Sequence, residues 1–232
     1  MTIEMGTVIN ILLSEQGKQE NKEAEMLEPD EMRMISAGIM ALLLLSFAGT
    51  AKAGLTGTLK LGAGDSGIVF ANKAKVPFSR VMKVVTRKVP GKITWMAMEN
   101  IDGYLFHMAT VVQADRTQKV VTVDSGNGKV VSVEPLVEKK KGEKKKEKAS
   151  FTGTLQAGNA AKTEFPYMAK VSLEKAMKIA ERKNPGKFYE VYIYDEGGFL
   201  FYGIEIALKG KNQLLKIDVD AGNGKIVNTD KM

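Results

Sequence analysis

The sequence predicts an α+β protein made of two copies of a two-layer module, each one helix packed on a small antiparallel sheet. Three observations lead there. Four short motifs recur in one order. Thr56-Gly57-Thr58-Leu59 returns as Thr152-Gly153-Thr154-Leu155, and Lys75-Val76 as Lys170-Val171. Pro90-Gly91-Lys92 returns as Pro185-Gly186-Lys187, and Gly126-Asn127-Gly128-Lys129 as Gly222-Asn223-Gly224-Lys225. The offsets are 96, 95, 95 and 96 residues. Each copy also carries an apolar pattern of helical period that stops at the Pro-Gly pair. Short strand-like runs separated by tight turns then follow.

The N-terminal quarter reads differently from the rest. Residues 1–31 form an acidic extension. Residues 32–53 read as a signal peptide or an anchor: Arg33 precedes an uncharged run, 35–48, and Ala51-Lys52-Ala53 supplies a small-residue cleavage site after Ala53. A bilayer span needs about 20 apolar residues, so the run is short for one. An acidic stretch is unusual before a signal. Two explanations stand: translation starts at Met32 or Met34, or a real tail precedes an uncleaved anchor. The expected location is exported, periplasmic or extracellular, with membrane attachment through 35–48 as the alternative.

The first module spans 55–134. Phe78, Val81, Met82 and Val85 lie at helical spacing, Pro77 suits the helix start, and Val89-Pro90-Gly91 ends it. Asp102-Gly103 marks the first hairpin turn. A linker, 135–150, contains VEKKKGEKKKEKAS, whose seven Lys and three Glu read as a solvated, self-repelling strap. The second module spans 151–230. Ser172 caps a helix with Leu173, Ala176, Met177 and Ala180 on one face, and Asn184-Pro185-Gly186 stops it, with Gly186 expected in a left-handed turn. Three strands are expected, Phe188–Tyr194, Phe199–Leu208 and Leu214–Asp220, as a meander turning at Gly197-Gly198 and at 209–212.

Composition narrows the chemistry. Of 232 residues, 44% are hydrophobic and 26% charged, ordinary values for a globular chain. Cysteine is absent, which removes disulfides, Cys-ligated metals, thiol catalysis and a lipoprotein anchor. His107 is the single histidine, so multi-histidine metal sites cannot form. It lies in the run Tyr104–Val112, at the position of Tyr202 in the second copy, and reads as a side chain filling a sheet position. The charge is uneven. Residues 1–53 carry −4 and the remainder +11 of the net +7, which favours anionic partners.

Two further features invite a site and have plainer readings. Asp124-Ser125-Gly126-Asn127-Gly128 and Asp220-Ala221-Gly222-Asn223-Gly224 resemble a calcium loop. The position of its bidentate Glu, however, holds Pro135 and Lys231, and Asn-Gly is a preferred hairpin turn. The aromatic set Phe188, Tyr189, Tyr192, Tyr194, Phe199, Phe201 and Tyr202 alternates along strands, so part of it faces outward as cross-strand pairs, as an interface between the copies or as a partner-binding face.

The second copy resembles the bacterial PepSY domain. The resemblance lies in 171–180 (VSLEKAMKIA), Pro185-Gly186-Lys187, Tyr202-Gly203-Ile204-Glu205-Ile206 and 217–227 (IDVDAGNGKIV). Asn223 stands where the family usually has Thr. The first copy is similar but departs further, with Val81 and Val85 at the positions of Ala176 and Ala180, and Ser125 at that of Ala221. The resemblance implies a non-enzymatic module of exported proteins, found also in propeptides of secreted metallopeptidases. The expected function is therefore to bind, and restrain or inhibit, an envelope or secreted protein such as a peptidase, acting in trans because no HExxH motif is present. The alternative is a surface-associated protein that holds anionic envelope polymers through its basic body. No catalytic, cofactor-binding or metal-ligating residue is assigned, and no nucleic-acid partner is expected.

Overall fold

The computed structural model describes residues 54–136 and 151–232. The extension 1–31, the segment 32–53 with its run 35–48, and the linker from 137 to 150 lie outside the described residues. Gly54–Met232 form one unit.

Its first half contains α1 (Gly67–Lys73), α2 (Phe78–Lys88), β1 (Lys92–Ile101), β2 (Tyr104–Val112), β3 (Gln118–Asp124) and β4 (Val130–Pro135). Its second half contains α3 (Phe165–Met168), α4 (Leu173–Lys183), β5 (Gly186–Glu196), β6 (Phe199–Leu208), β7 (Leu214–Asp220) and β8 (Ile226–Lys231). The eight strands form one antiparallel sheet in the order β4-β3-β2-β1-β5-β6-β7-β8.

Three expectations need correction. The two small sheets are one continuous sheet, joined where β1 pairs with β5 through Trp95↔Tyr192, Met96↔Val191 and Ala97↔Glu190. Each half has four strands rather than three, because the chain continues past the Gly-Asn-Gly-Lys turn into β4 or β8. Each half has two helices rather than one. The short helices also cover the neighbouring half: α1 packs on β5 and β6 as well as β1, and α3 packs on β1 as well as β5. Phe70 of α1 meets Tyr189 at 6.4 Å between ring centroids. Tyr167 of α3 donates its hydroxyl to the Val112 carbonyl at 3.0 Å.

The core lies between the helices and one sheet face. Phe78, Val81 and Val85 of α2 are buried there, as are Leu173, Ala176, Met177 and Ala180 of α4. They meet alternate strand residues, among them Leu105, Ala109, Val111, Leu200, Ile204, Ile206, Ile217 and Val219. Fully burying each large aliphatic or aromatic side chain stabilises the fold by about 1.5–3 kcal/mol. The Ser172 hydroxyl accepts the Lys175 N–H at 3.2 Å, as a capping residue should.

The Pro-Gly glycines work differently from expectation. Neither Gly91 nor Gly186 has positive φ. Gly91 immediately precedes β1 and Gly186 opens β5, each pressed against the paired strand. A Cβ on Gly91 would stand 2.5 Å from the Val112 carbonyl oxygen, and one on Gly186 would overlap the Ala207 carbonyl oxygen and Ile206 Cγ2.

Candidate functional site

The Asp-centred turns resolve as structural knots. Asp124 accepts hydrogen bonds from Thr58 N–H (2.7 Å), Thr58 Oγ1 (2.6 Å), Gly126 N–H (2.7 Å) and Asn127 N–H (3.2 Å). Asp220 accepts the corresponding set from Thr154 N–H (2.7 Å), Thr154 Oγ1 (2.9 Å), Gly222 N–H (2.6 Å) and Asn223 N–H (3.3 Å). Both carboxylates are thereby occupied in tying the Thr-Gly-Thr-Leu segment to the β3–β4 or β7–β8 turn. Burial pushes the Asp124 carboxyl up, but Thr58 and the turn amides outweigh it and hold it below its ordinary range. Only the glycine of each Asn-Gly pair takes positive φ, 77° at Gly128 and 79° at Gly224, so the turn is not the two-residue type in which both do.

His107 is fully buried on the helix-covered sheet face. Its Nδ1 is 2.7 Å from Ser125 Oγ, and Phe78 stacks edge-on at 5.1 Å. Its Nε2 has no hydrogen-bond partner among the described residues. In the second half Tyr202 instead donates to the Val171 carbonyl at 2.8 Å, and Ala221 replaces the serine. A Ser–His pair sealed from solvent cannot meet a substrate, so its chemistry is acid sensitivity. Burial lowers the imidazole to about 4 from 6.5. The unfolded chain therefore takes up a proton that the folded chain refuses, and stability falls as pH drops from 6.5 toward 4. The full loss is about 3 kcal/mol. His107→Tyr combined with Ser125→Ala installs the second half's arrangement and is expected to flatten this limb in urea titrations at pH 4–7.

The opposite sheet face carries the outward aromatic set and a group of carboxylates. Tyr192, Tyr194 and Phe201 follow one another at 5.4 and 5.9 Å, and Phe151 meets Phe201 at 4.8 Å. Phe188, Tyr189 and Tyr202 belong to the helix-covered side, with Phe188 against Phe78. Trp95 Nε1 donates to Glu190 at 2.6 Å, and Tyr194 donates to Asp218 at 2.8 Å. Glu190 lies directly across from Glu205, and Glu205 across from Lys216. Burial, then the neighbouring Glu190 charge, lifts Glu205 to about 8 and Glu99 to about 7. Glu205 is 1% exposed and its Oε1 lacks a partner among the described residues. A carboxyl raised in the folded state destabilises it as pH rises from 4.5 through the folded value. Glu205→Gln is accordingly expected to leave stability unchanged at pH 4.5 and to raise it by on the order of 2–3 kcal/mol at pH 8.5. Equal effects at both pH values would refute this.

The sheet ends in β4 and β8, six residues each, paired on one side among the described residues. Both pairings slip in register near their start, at Thr122/Val123 and at Asp218/Val219. Val131, at the β4 irregularity, is 39% exposed, unusual for a large aliphatic here. Sequence periodicity missed both edges, although the Lys-Val-Val and Lys-Ile-Val runs after the turns were a signal.

Comparison with known proteins decides the second half. Residues 170–230 match the model of the family described as Peptidase propeptide and YPEB domain, PepSY. This segment resembles a PepSY domain. In it the capped α4 covers β5–β7, and the β7–β8 turn closes it, with β8 as the outermost strand among the described residues. A crystal structure described as a "putative lipoprotein" from Clostridium difficile 630 is similar at 19% identity. It covers 68% of this chain and 94% of its own, with a TM-score of 0.38, a likeness too slight to carry an argument. No curated protein sequence matches the chain. Among the described residues no helix is long and apolar enough to cross a membrane.

Proposed function

We propose that this is an exported, non-enzymatic protein of two PepSY-type modules that binds an envelope or secreted protein, a peptidase in particular, by accepting an extended segment along its sheet edges. The PepSY domain links the chain to peptidase propeptides, modules with a regulatory or binding role. The observation that carries the reading is the position of β4 and β8 as the two outermost strands of the sheet among the described residues. Backbone pairing at such an edge holds a partner strand without chemistry.

In this reading 55–134 and 151–230 are copies of one module. Matched knots at Asp124 and Asp220, 96 residues apart, and matched bridges Lys60↔Tyr104 and Gln156↔Phe199 support it. Residues 32–53 direct export, with cleavage after Ala53, 1–31 falls outside the mature chain, and the linker joins the modules. Amino-terminal sequencing of exported protein should read from Gly54; a start near Met1 contradicts cleavage.

The test incubates the full chain with secreted metallopeptidases, following inhibition and amide hydrogen exchange together. Inhibition with slowed exchange in β4 or β8 supports edge capture. Exchange unchanged in both edges in the presence of every peptidase tried refutes it.

A further inference from the structure

Five positions of matching chemistry stand beside both edges. Ile179, Arg182 and Lys183 of α4 line a shallow hollow together with Lys225 and Ile226, at the start of β8. The two isoleucines are half-buried and the three cations exposed. Buried Gly224 packs beneath the hollow, where a Cβ would stand 3.1 Å from Ile179 Cδ1. The corresponding positions of the first half hold Val84, Arg87, Lys88, Lys129 and Val130, with the same pattern of exposure. Two branched aliphatics, an Arg-Lys pair and the lysine of the turn are thus repeated.

None of these six cations forms an ion pair among the described residues, whereas Lys178 on the same helix pairs with Glu174 at 2.9 Å. Favourable placement at helix C-termini accounts for the four on α2 and α4. It does not account for Lys129 and Lys225, which lie on turns, or for the aliphatic floor. An apolar floor rimmed by three cations complements an aliphatic side chain next to a carboxylate.

We propose that the hollow beside β8 reads an acidic residue and a neighbouring aliphatic residue of the extended segment bound on that edge, and that the matching positions beside β4 do the same. This rests on the edge-capture reading and adds the partner's chemistry. The hollow borders β8 and the matching positions border β4, the outermost strands of an eight-stranded sheet, so one chain engages two such segments.

The test selects random dodecapeptides displayed on phage against the full chain. The strongest are then synthesised and measured against wild type, against Arg182→Glu/Lys183→Glu/Lys225→Glu combined with Arg87→Glu/Lys88→Glu/Lys129→Glu, and against the corresponding all-glutamine variant. Circular dichroism confirms that each variant folds. Enrichment of Asp or Glu beside Val, Ile or Leu is expected, with two peptides bound per chain. Affinity should fall at least tenfold in the glutamine variant and further in the glutamate variant. Peptides that slow exchange in β4 and β8 without acidic preference, or bind the variants unchanged, overturn the proposal and leave edge capture standing. No exchange protection by any peptide removes edge capture and the proposal together. Loss of inorganic polyphosphate binding in the variants, with peptide binding intact, assigns these positions to a polyanion and also overturns it.

Discussion

Asp220→Ala is expected to destabilise the protein by about 3–5 kcal/mol, measured as ΔG of urea unfolding at pH 7. The side chain is 1% exposed and accepts four hydrogen bonds, two from Thr154 and two from turn amides. Alanine leaves those donors facing a carboxylate-sized gap, and hydrogen bonds to a charged group are the costly ones to lose. The damage should be local at first: hydrogen exchange should quicken at Thr154 and at Gly222–Gly224 before β6 responds. Asp124→Ala should act likewise on Thr58. A loss below about 1 kcal/mol would mean that water or a neighbour satisfies the donors, and that the knot holds little.

Gly186→Ala is expected to cost about 2–4 kcal/mol, an effect that glycine's conformational freedom does not explain. Replacing glycine by alanine where φ is ordinary usually stabilises a chain slightly, by restricting the unfolded state. Here φ is ordinary, yet the new methyl would overlap the Ala207 carbonyl oxygen and Ile206 Cγ2 of the paired strand. The close neighbour is backbone in a sheet and cannot swing aside as a surface side chain would. The sign of the effect therefore separates the two explanations. Stabilisation would show that the strand relaxes freely, and destabilisation that the Pro-Gly motif is kept for close strand approach. Gly91→Ala, against the Val112 carbonyl, is the companion measurement.

The Pro-Gly pair also shows where sequence reading succeeded for the wrong reason. It marked the helix end correctly, since α2 and α4 stop at Lys88 and Lys183, but the glycine belongs to the start of β5 rather than to a left-handed cap. The helix faces were legible because Leu173, Ala176, Met177 and Ala180 repeat at 3.6-residue spacing over two turns. Helix α3 was not: four residues, Phe165–Met168, with Pro166 among them, display no period. The β1–β5 pairing was also invisible. It joins residues 93 to 97 apart through three pairs, and nothing local distinguishes such a strand from one left at an edge. Of the aromatics, alternation along the strand holds for Tyr192 and Tyr194, which share one face. A register shift between Phe188 and Glu190 put Phe188 and Tyr189 together on the other. The carboxylate group was missed because Glu99, Glu190, Glu205 and Asp218 come from four strands and gather only across the sheet.

Because α1 lies on β5 and α3 on β1, each half leaves a bare strip that the other's short helix roofs. Phe70 against Tyr189 and Tyr167 against Val112 are fastenings between halves. Severing the chain between 137 and 150 should therefore yield two fragments that co-purify as a 1:1 heterodimer, each poorly soluble when expressed without its mate.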